Sequence, residues 1–424
     1  MALTWTDRSG RPRYLSLAAG AFTLSVAGEL NVSFDGAGRL IGLWADGVTY
    51  RRGLDNRVLA KQPSPGGQRT RTLLTDANQR PIIEQAYAVA QQLAHDLTHA
   101  ALNLGATTDA ELGAVTDWLA RILTWDWPAL VADAARFHTI YKPISILPPD
   151  QYLALVLQAT EGCSYNRCTF CTFYRDRPFR IKSPAEFAGH CDAVAAFMDA
   201  GITVRRSIFL ADANAVIIPR DRLLPLLDVV HSRFAVDGVP AATSAAPCLA
   251  AARAGQFTGI YAFVSAPDAL HKAPADFADL AQRGLTRLYV GVETGYDPLR
   301  AFIAKPGRAA DVLDAVRAIK TGGIAVGVIL LVGVGGVPYR EDHFAATVQL
   351  VTQLPLGPGD LVYLSPFVDE SAAPYLSAMR TAGYRSLAPD DLRAEEIRFR
   401  HALQPWARAH GVRISRYDIR EFIY

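Results

Sequence analysis

The sequence predicts an α/β protein whose larger part is a parallel sheet, and two observations predict it. Six short apolar, β-prone segments follow one another between residues 153 and 365, and helix-like segments separate them. Strands that alternate with helices pair in parallel, because each right-handed crossover returns the chain to the same end of the sheet. Six such units form either an open doubly wound sheet or a partial barrel, and periodicity alone does not decide between the two.

The composition is that of an ordinary globular protein of 424 residues, long enough for two or three domains or for a barrel with an extension. The formal net charge is only +2, so no global field attracts nucleic acid or an anionic membrane, and neither is expected as a partner. The N-terminus lacks the basic-then-apolar order of a signal peptide, and no apolar run has the length of a membrane span. Five cysteines in so long a chain do not make a disulfide framework. We therefore expect a cytoplasmic protein.

Residues 1–145 are predicted to form an N-terminal domain that is mainly helical and carries a short β region. Hydrophobicity alternates up to about residue 55, around turns at 35–38 and 46–47, which predicts short strands. From about residue 82 to residue 136 the apolar period becomes helical. The proline-rich segment 142–150 then interrupts the helical pattern, and we place a domain boundary there.

The second domain, residues 150–370, is predicted as strands and helices in alternation. Strands are expected at 153–157, 207–210, 260–265, 288–293, 325–332 and 361–365. One helix is expected to begin after Ser183, where a capping serine, a proline and a glutamate follow in the right order, and others at 222–233, 275–282, 309–320 and 341–354. The remaining residues, 371–424, are expected to form a short helical tail that docks onto the body.

Three of the five cysteines lie within nine residues, directly after the first predicted strand. Cys163, Cys168 and Cys171 are soft thiolate ligands, which select zinc, copper(I) or iron–sulfur clusters. A closed zinc site or an ordinary cluster uses four protein ligands, so three leave one coordination position open. The loop lies at the carboxyl end of a parallel sheet, which is where α/β proteins carry their active sites.

Other polar residues follow later strands at the same end of the sheet. Asp212 and Asn214 come after the second predicted strand, and Glu293 ends the fourth. Asp212 is either a ligand-binding residue or the cap of a turn, and Glu293 is either functional or the partner of an ion pair. The glycine-rich turn at 333–336 lacks the last glycine of a dinucleotide fingerprint, so a nicotinamide site is rejected.

These motifs resemble the radical S-adenosylmethionine (radical SAM) superfamily. Its hallmark is three cysteines in a loop after the first strand of a six-unit partial barrel, with an aromatic residue, here Phe170, just before the last cysteine. Segment 289–297 is similar to the family's Gly-x-Glu region, and segment 209–214 resembles its acidic motif. The chain departs from the pattern in having four residues between Cys163 and Cys168, where three are usual, and Ala-Asp-Ala-Asn in place of Gly-Gly-Glu.

The resemblance implies a (β/α)6 partial TIM barrel over residues 150–370, together with two cofactors. The three cysteines would bind a [4Fe–4S] cluster whose open iron takes S-adenosylmethionine (SAM). The residues implied in holding SAM are Phe170, Asp212, Asn214 and Glu293, with Val328 and Ile329 against the adenine. Reductive cleavage of SAM would give a radical that abstracts hydrogen from an unidentified substrate. An electron donor such as a flavodoxin or a ferredoxin is then implied as a partner.

Two other functions stay open for the cysteine loop. A zinc knot with His190 or Cys191 as the fourth ligand would make a non-enzymatic module that binds nucleic acid or a protein. A simple iron–sulfur electron carrier would keep the cluster without cleaving SAM. We expect His190 and Cys191 to be ordinary helix residues and Cys248 to be a small buried side chain, which leaves too few cysteines for a second cluster.

A basic stretch surrounds the cysteine loop, with aromatic residues interleaved. Its cations are Arg167, Arg175, Arg177, Arg180 and Lys182, and its aromatic residues are Tyr165, Phe170, Phe173, Tyr174 and Phe179. Such a stretch is by default a solvated face, and otherwise it neutralises an anion. The aromatic residues would suit RNA stacking, but the small net charge disfavours nucleic acid.

Overall fold

The computed structural model describes residues 1–6, 10–18, 20–64, 68–99, 107–239, 256–369 and 373–424. Within these residues the chain forms an eight-stranded sheet, a seven-stranded sheet and two short strand pairs. One hydrophobic cluster fills the N-terminal part, and a larger one lies around the second sheet. None of the helices described in these ranges has the length and apolar content needed to cross a bilayer.

The N-terminal sheet is an antiparallel meander whose strands pair in chain order. In β3, for example, Phe22, Leu24 and Val26 are buried while the residues between them are partly exposed, which is the period of a sheet with one covered face. The strands are β1 (Ala2–Thr6), β2 (Pro12–Ala18), β3 (Ala21–Val26), β4 (Leu30–Asp35), β5 (Leu40–Ala45), β6 (Val48–Arg52), β7 (Val58–Ser64) and β8 (Gln68–Leu73). The helices described after them are α1 (Asp76–Thr98), α2 (Asp109–Ile122) and α3 (Trp127–Ile140).

The structure corrects the prediction that this part is mainly helical with a short β region. The strands continue to Leu73 and not to about residue 55. Strand β8 has the sequence Gln-Arg-Thr-Arg-Thr-Leu, which shows no apolar alternation. An edge strand of this kind buries little, so its sequence carries little of the signal that predicts a strand.

The second sheet is parallel throughout, with the strand order β9-β12-β15-β16-β17-β18-β19. All six predicted strands are present, and the order has no reversal, which excludes the doubly wound alternative. The strands are β9 (Ala154–Gln158), β12 (Ser207–Ala211), β15 (Ile260–Val264), β16 (Leu285–Glu293), β17 (Ala325–Val332), β18 (Leu361–Pro366) and β19 (Arg413–Arg416). Two short pairs accompany them, β10 (Thr160–Glu161) with β11 (Arg180–Ile181), and β13 (Ala235–Val236) with β14 (Gln256–Phe257).

The predicted helices between these strands are also present. The described helices are α4 (Pro184–Met198), α5 (Arg220–His231), α6 (Ala266–Ala269), α7 (Pro274–Gln282), α8 (Asp297–Phe302), α9 (Ala309–Thr321), α10 (Gly336–Gln353), α11 (Ala373–Thr381) and α12 (Pro389–His410). Ser183 accepts a hydrogen bond from the backbone N–H of Glu186, whose carboxylate accepts one from the N–H of Ser183. The predicted capping box of α4 is therefore confirmed.

The C-terminal tail was predicted as helical, and the structure corrects this by adding a strand to the two helices. β19 pairs in parallel with β18 and becomes one edge of the sheet. The chain then crosses to the opposite edge, where the hydroxyl of Tyr424 donates to the carbonyl of Ala154 (3.2 Å) and accepts from the N–H of Val156 (3.0 Å). The hydroxyl thus gives a hydrogen-bond partner to two backbone groups of the edge strand β9. The tail thus connects the two edges of an otherwise open sheet.

A buried arginine, Arg39, joins the N-terminal part to the second sheet. Its guanidinium donates to both carboxylate oxygens of Asp133 on α3, at 2.7 and 3.1 Å. The same group donates to the carbonyls of Phe197 (2.8 Å) and Met198 (3.2 Å) at the end of α4, where helix carbonyls lack partners within the helix. One side chain therefore fixes the contact of α3 with α4.

Helix α4 packs on β9 partly through His190, a buried histidine held in its neutral form. Its Nε2 accepts from the backbone N–H of Gln158 at 3.0 Å, and its ring meets that of Tyr141 edge-on. Burial is the main cause that lowers the pKa of His190, to about 3. His190 is thus committed to packing, as predicted for an ordinary helix residue.

We expect His190 to make the fold less stable as the pH falls from 7 to 5. The unfolded histidine takes up a proton near its ordinary pKa, whereas the folded one resists it until much lower pH, so stability is lost below that ordinary pKa. Between pH 7 and 5 the loss is about 2 kcal/mol. Urea unfolding of the wild type and of His190→Gln at both pH values measures it. The stability of the wild type relative to the variant should fall by about that amount at pH 5, and an equal difference at both pH values would contradict the assignment.

Candidate functional site

A cavity opens at the carboxyl ends of the parallel strands, and the thiols of Cys163, Cys168 and Cys171 line it together. The loop that carries them joins β10 to β11 and begins at Gly162, whose φ is +76°. A Cβ atom on Gly162 would lie 2.8 Å from the carbonyl oxygen of Pro178, so both the backbone angle and the space require glycine. The structure therefore brings the three predicted metal ligands to one site.

Two of the three sulfur atoms each accept a hydrogen bond from a backbone N–H group. The N–H of Asn166 donates to Sγ of Cys163 at 3.3 Å, and that of Phe173 bonds to Cys171. Burial raises the pKa of the Cys168 thiol to about 12 and raises that of Cys171. A metal that binds these thiols must displace their protons, since the thiolate is the ligand.

The fourth ligand considered for a zinc knot is not at this site. His190 bonds to Gln158, and Cys191 lies within α4 and is fully buried in the core. Among the described residues, no group of three or more His, Cys, Asp or Glu side chains has the spacing that holds one metal ion. Cys248 lies outside the described residues.

A buried cation that the sequence did not single out, Lys305, also lines the cavity. Its Nζ lies 2.8 Å from Oε1 of Glu293, and both side chains are about nine-tenths buried. Burial alone would lower the pKa of Lys305, but the charges of Glu293 and of Cys168 raise it overall. The backbone N–H of Thr169 donates to the carbonyl of Ile303 (3.0 Å), which brings this lysine's loop onto the cysteine loop.

Glu293, a predicted site residue, faces the cavity at the end of β16 with a φ of +61°. It is also the ion-pair partner of Lys305, so both of its predicted roles are compatible with its position. A Cβ atom on Gly291 would lie 2.5 Å from Oε1 of Glu293 and 3.1 Å from Nζ of Lys305. Glycine at this position therefore leaves the room that the ion pair occupies.

Asn214, also a predicted site residue, offers an acceptor to the cavity. Its Nδ2 donates to Oδ2 of Asp268 at 2.5 Å, and the hydroxyl of Ser265 donates to the same oxygen. Its Oδ1 is buried and accepts no hydrogen bond from any of the described residues. Buried polar atoms almost always have a partner, so this amide oxygen is available to a bound ligand.

Asp212 is not among the described residues that line the cavity. Its carboxylate accepts from the side-chain amide of Gln158 (2.9 Å), from the backbone N–H of Gly162 (3.0 Å) and twice from Arg177 (3.0 and 3.2 Å). Burial raises the pKa of Asp212, although Arg177 acts in the opposite direction. In this arrangement the carboxylate binds both flanks of the cysteine loop, which differs from its expected contact with a ligand.

The two residues predicted to pack against adenine lie on opposite faces of β17. Ile329 lines the cavity, whereas Val328 is not among its lining residues and is fully buried in the hydrophobic core. Successive side chains of a strand alternate between faces, so a pair of neighbours could not both face the cavity. The prediction is therefore corrected for Val328. Phe170 lines the cavity and packs beside Leu299 and Ile303.

Tyr289, which lines the cavity, belongs to a polar cluster that the sequence did not reveal. The hydroxyls of Tyr289 and Tyr363 each donate to the carboxylate of Asp150 at 2.6 Å. Asp150 comes from the segment predicted as a linker, and the tail supplies Tyr417 and Ile419 to the cavity wall. Long-range contacts of this kind leave no local sequence pattern.

No family model matches the sequence, and no curated protein matches it. Three similar solved structures are radical SAM enzymes. The cobalamin-dependent enzyme OxsB with aqua-cobalamin and SAM bound is 13% identical, over 76% of this chain and 36% of that chain, with a TM-score of 0.36. Coproporphyrinogen III oxidase (HemN) from Escherichia coli is 12% identical, over 67% and 57%, with a TM-score of 0.41. The methyltransferase TsrM from Kitasatospora setae with cobalamin and a [4Fe–4S] cluster bound is 17% identical, over 53% and 40%, with a TM-score of 0.34. The chain spans about a third of OxsB.

Proposed function

We propose that this protein is a radical SAM enzyme with a (β/α)6 partial-barrel core, in which Cys163, Cys168 and Cys171 bind a [4Fe–4S] cluster that takes SAM at its open iron. The observation that carries the proposal is the arrangement of the site. Three thiols, a buried cation and a buried amide oxygen without a partner among the described residues face one cavity at the strand ends. A cluster presents a different iron to each cysteine, so its ligands are spaced more widely than those of one ion.

When bound, the cluster would supply the electron that cleaves SAM reductively, and the radical so formed would abstract a hydrogen atom from the substrate. The chain's own part is to bind, orient and shield. Phe170, Phe263 and Ile329 give the cavity apolar walls, which exclude water from a reactive intermediate. The substrate is not identified by these residues.

The charged and polar residues of the cavity supply complementary contacts. Lys305 keeps a positive charge beside Cys168, which lowers the free energy of burying thiolates there. Glu293 holds the lysine in place. Oδ1 of Asn214 would accept a hydrogen bond from an amino or hydroxyl group of SAM, and Ile329 would contact the adenine.

Anaerobic reconstitution with iron and sulfide tests the proposal. We expect a broad visible absorption that changes when SAM is added, and release of 5′-deoxyadenosine under a strong reductant. Stoichiometric zinc without SAM cleavage would indicate the zinc-knot module instead. A cluster that yields no 5′-deoxyadenosine would indicate a simple electron carrier.

Replacing Cys168 with alanine should abolish the cluster absorption, because only two thiolates would remain in the loop. Cys191→Ala is the matched control, since it removes a buried thiol of the core and should leave iron content unchanged. Iron and sulfide analysis of both variants makes the measurement. Full iron content in Cys168→Ala would overturn the ligand assignment.

We expect Asp212→Asn to act through the cysteine loop. Removing the buried partner leaves Arg177 with only the exposed carboxylate of Asp176, so the variant should lose about 3 kcal/mol of stability and part of its iron. The affinity for SAM of the fraction that still carries the cluster should stay unchanged. Unfolding experiments, iron analysis and SAM titration check the three expectations.

Asp176→Asn is the matched control for this variant. Asp176 also pairs with Arg177, but its side chain is 52% exposed, so its loss should cost no more than about 1 kcal/mol. If Asp212→Asn instead keeps normal stability and iron content but loses tenfold or more of its affinity for SAM, Asp212 contacts SAM as the sequence predicted.

A further inference from the structure

A second groove lies beside the cavity of the cysteine loop. Its volume is about 780 Å³, which is in the range of small-molecule sites. Its walls come mainly from β8, the segment after β18, the first half of α12 and residues 416–421 of the tail. Pro366, Phe367 and Val368 line both the groove and the cavity, so the two spaces adjoin along this segment.

Arginine predominates among the charged residues of this groove. Five arginines and three carboxylates of the described residues line it. The arginines are Arg69, Arg71, Arg393, Arg416 and Arg420, and the carboxylates are those of Asp369, Glu396 and Glu421. Whether their positive charge reaches a ligand depends on how the arginines are paired within the fold.

Three of the arginines share one buried carboxylate, that of Asp418. Its distances are 2.8 Å to Arg420, 3.4 Å to Arg416 and 3.6 Å to Arg71. The side chain of Asp418 is only 1% exposed, whereas those of Arg416 and Arg420 are 40% and 45% exposed. The carboxylate therefore holds the guanidiniums from the protein side, and their exposed parts face the groove.

The other carboxylates do not remove the excess of positive charge. Two of them bind members of the same group and one lysine, in the contacts of Glu421 with Arg71 and Lys61 and of Glu396 with Arg416. Arg69 is two residues from Arg71 on β8, hence on the same face of the strand, and it forms no ion pair with a carboxylate of the described residues. Even with Asp369 counted, the cations of this group outnumber the carboxylates. Guanidiniums at a concave surface bind carboxylate and phosphate groups.

The remaining wall of the groove is apolar. Leu392 and Ile397 of α12 line it, and Ile397 is 55% exposed, which is unusual for an isoleucine within a helix that packs on a sheet. Phe367 is held edge-on against Tyr375, with 4.6 Å between the ring centroids. It is also the only aromatic residue among the described residues of the groove, which disfavours stacked bases of a nucleic acid. A ligand that fits both parts of the groove has an apolar body and an anionic group.

We propose that this groove binds the substrate, an amphipathic organic anion whose carboxylate or phosphate group is held by Arg69, Arg416 and Arg420. The apolar body extends past Phe367 into the cavity of the cysteine loop, where hydrogen abstraction would take place. An anchor on the non-reacting end of a substrate fixes the position of the reacting end. The role as substrate site rests on the proposed function, whereas binding of the anion depends on this chain alone.

The first test measures binding to the full-length protein without cluster by isothermal titration calorimetry. The probes are 6-phenylhexanoate, 6-phenylhexyl phosphate and the uncharged 6-phenylhexan-1-ol. At least one anion should bind about tenfold more tightly than the alcohol, and the tighter of the two identifies the anionic group. In Arg416→Gln the Kd of that anion should rise about tenfold, while the Kd of the alcohol should stay unchanged.

Arg220→Gln is the matched control for Arg416→Gln. Arg220 is 45% exposed and also lies near two carboxylates, those of Asp276 and Asp279, but it lines neither the groove nor the cavity. Its replacement should leave every Kd unchanged. Arg69→Gln removes an arginine that has no ion pair with a described carboxylate, so it should raise the Kd of the anion even if Arg416→Gln proves unstable. Equal Kd values for the anions and the alcohol, or an equal loss in Arg220→Gln, would overturn the site.

The second test asks whether the bound body reaches the cavity. Iodoacetamide alkylates the thiols of Cys163, Cys168 and Cys171 in the protein without cluster, and mass spectrometry follows each site. The saturating anion should slow these reactions in the wild type, and the same concentration should not slow them in Arg416→Gln. Binding without protection of the thiols would overturn the assignment as a substrate site. Neither test needs a cluster, so failure to cleave SAM would contradict the proposed function alone.

Discussion

A buried carboxylate, that of Asp212, ties the cysteine loop to the parallel sheet, and the geometry of the site depends on this interaction. The residue directly follows β12, accepts from the N–H of Gly162 just before the first cysteine, and pairs with Arg177 beyond the last. Burying these two charges costs free energy, which the ion pair and the additional hydrogen bonds to Gln158 and Gly162 offset. A loop held at both flanks presents three thiols to one cavity.

The same loop separates two electrostatic environments. On its inner side, Lys305 and Glu293 form a buried pair beside apolar walls, and Cys168 lies within reach of both charges. On its outer side, Arg167 and Arg175 face solvent. A buried charge needs a fixed partner, whereas an exposed one is stabilised by water. One short segment therefore separates a buried, paired set of charges from a solvated one.

The sequence predicted those parts of the fold that depend on local patterns. The six central strands are apolar runs between helical segments, and α4 begins at a capping box, so periodicity and end signals sufficed. Strand β19 has only four residues with two arginines, and it is a strand because β18 offers it an edge. The three cysteines could be recognised because they lie close together in the sequence. Lys305 and Asp150 could not, because they reach the site through tertiary contacts. The sequence identified Asp212 as a site residue, but it did not identify the residues that bind its carboxylate.

The C-terminal tail both pairs with the edges of the sheet and forms part of the cavity wall. A seven-stranded parallel sheet has two edges, and each edge strand exposes unpaired backbone groups. Here β19 forms one edge and the hydroxyl of Tyr424 pairs with β9 at the other, so the segment between them must cross from one edge to the other. In crossing, it places Tyr417 and Ile419 in the cavity wall. The residues that complete the fold therefore also bound the space in which a substrate would lie.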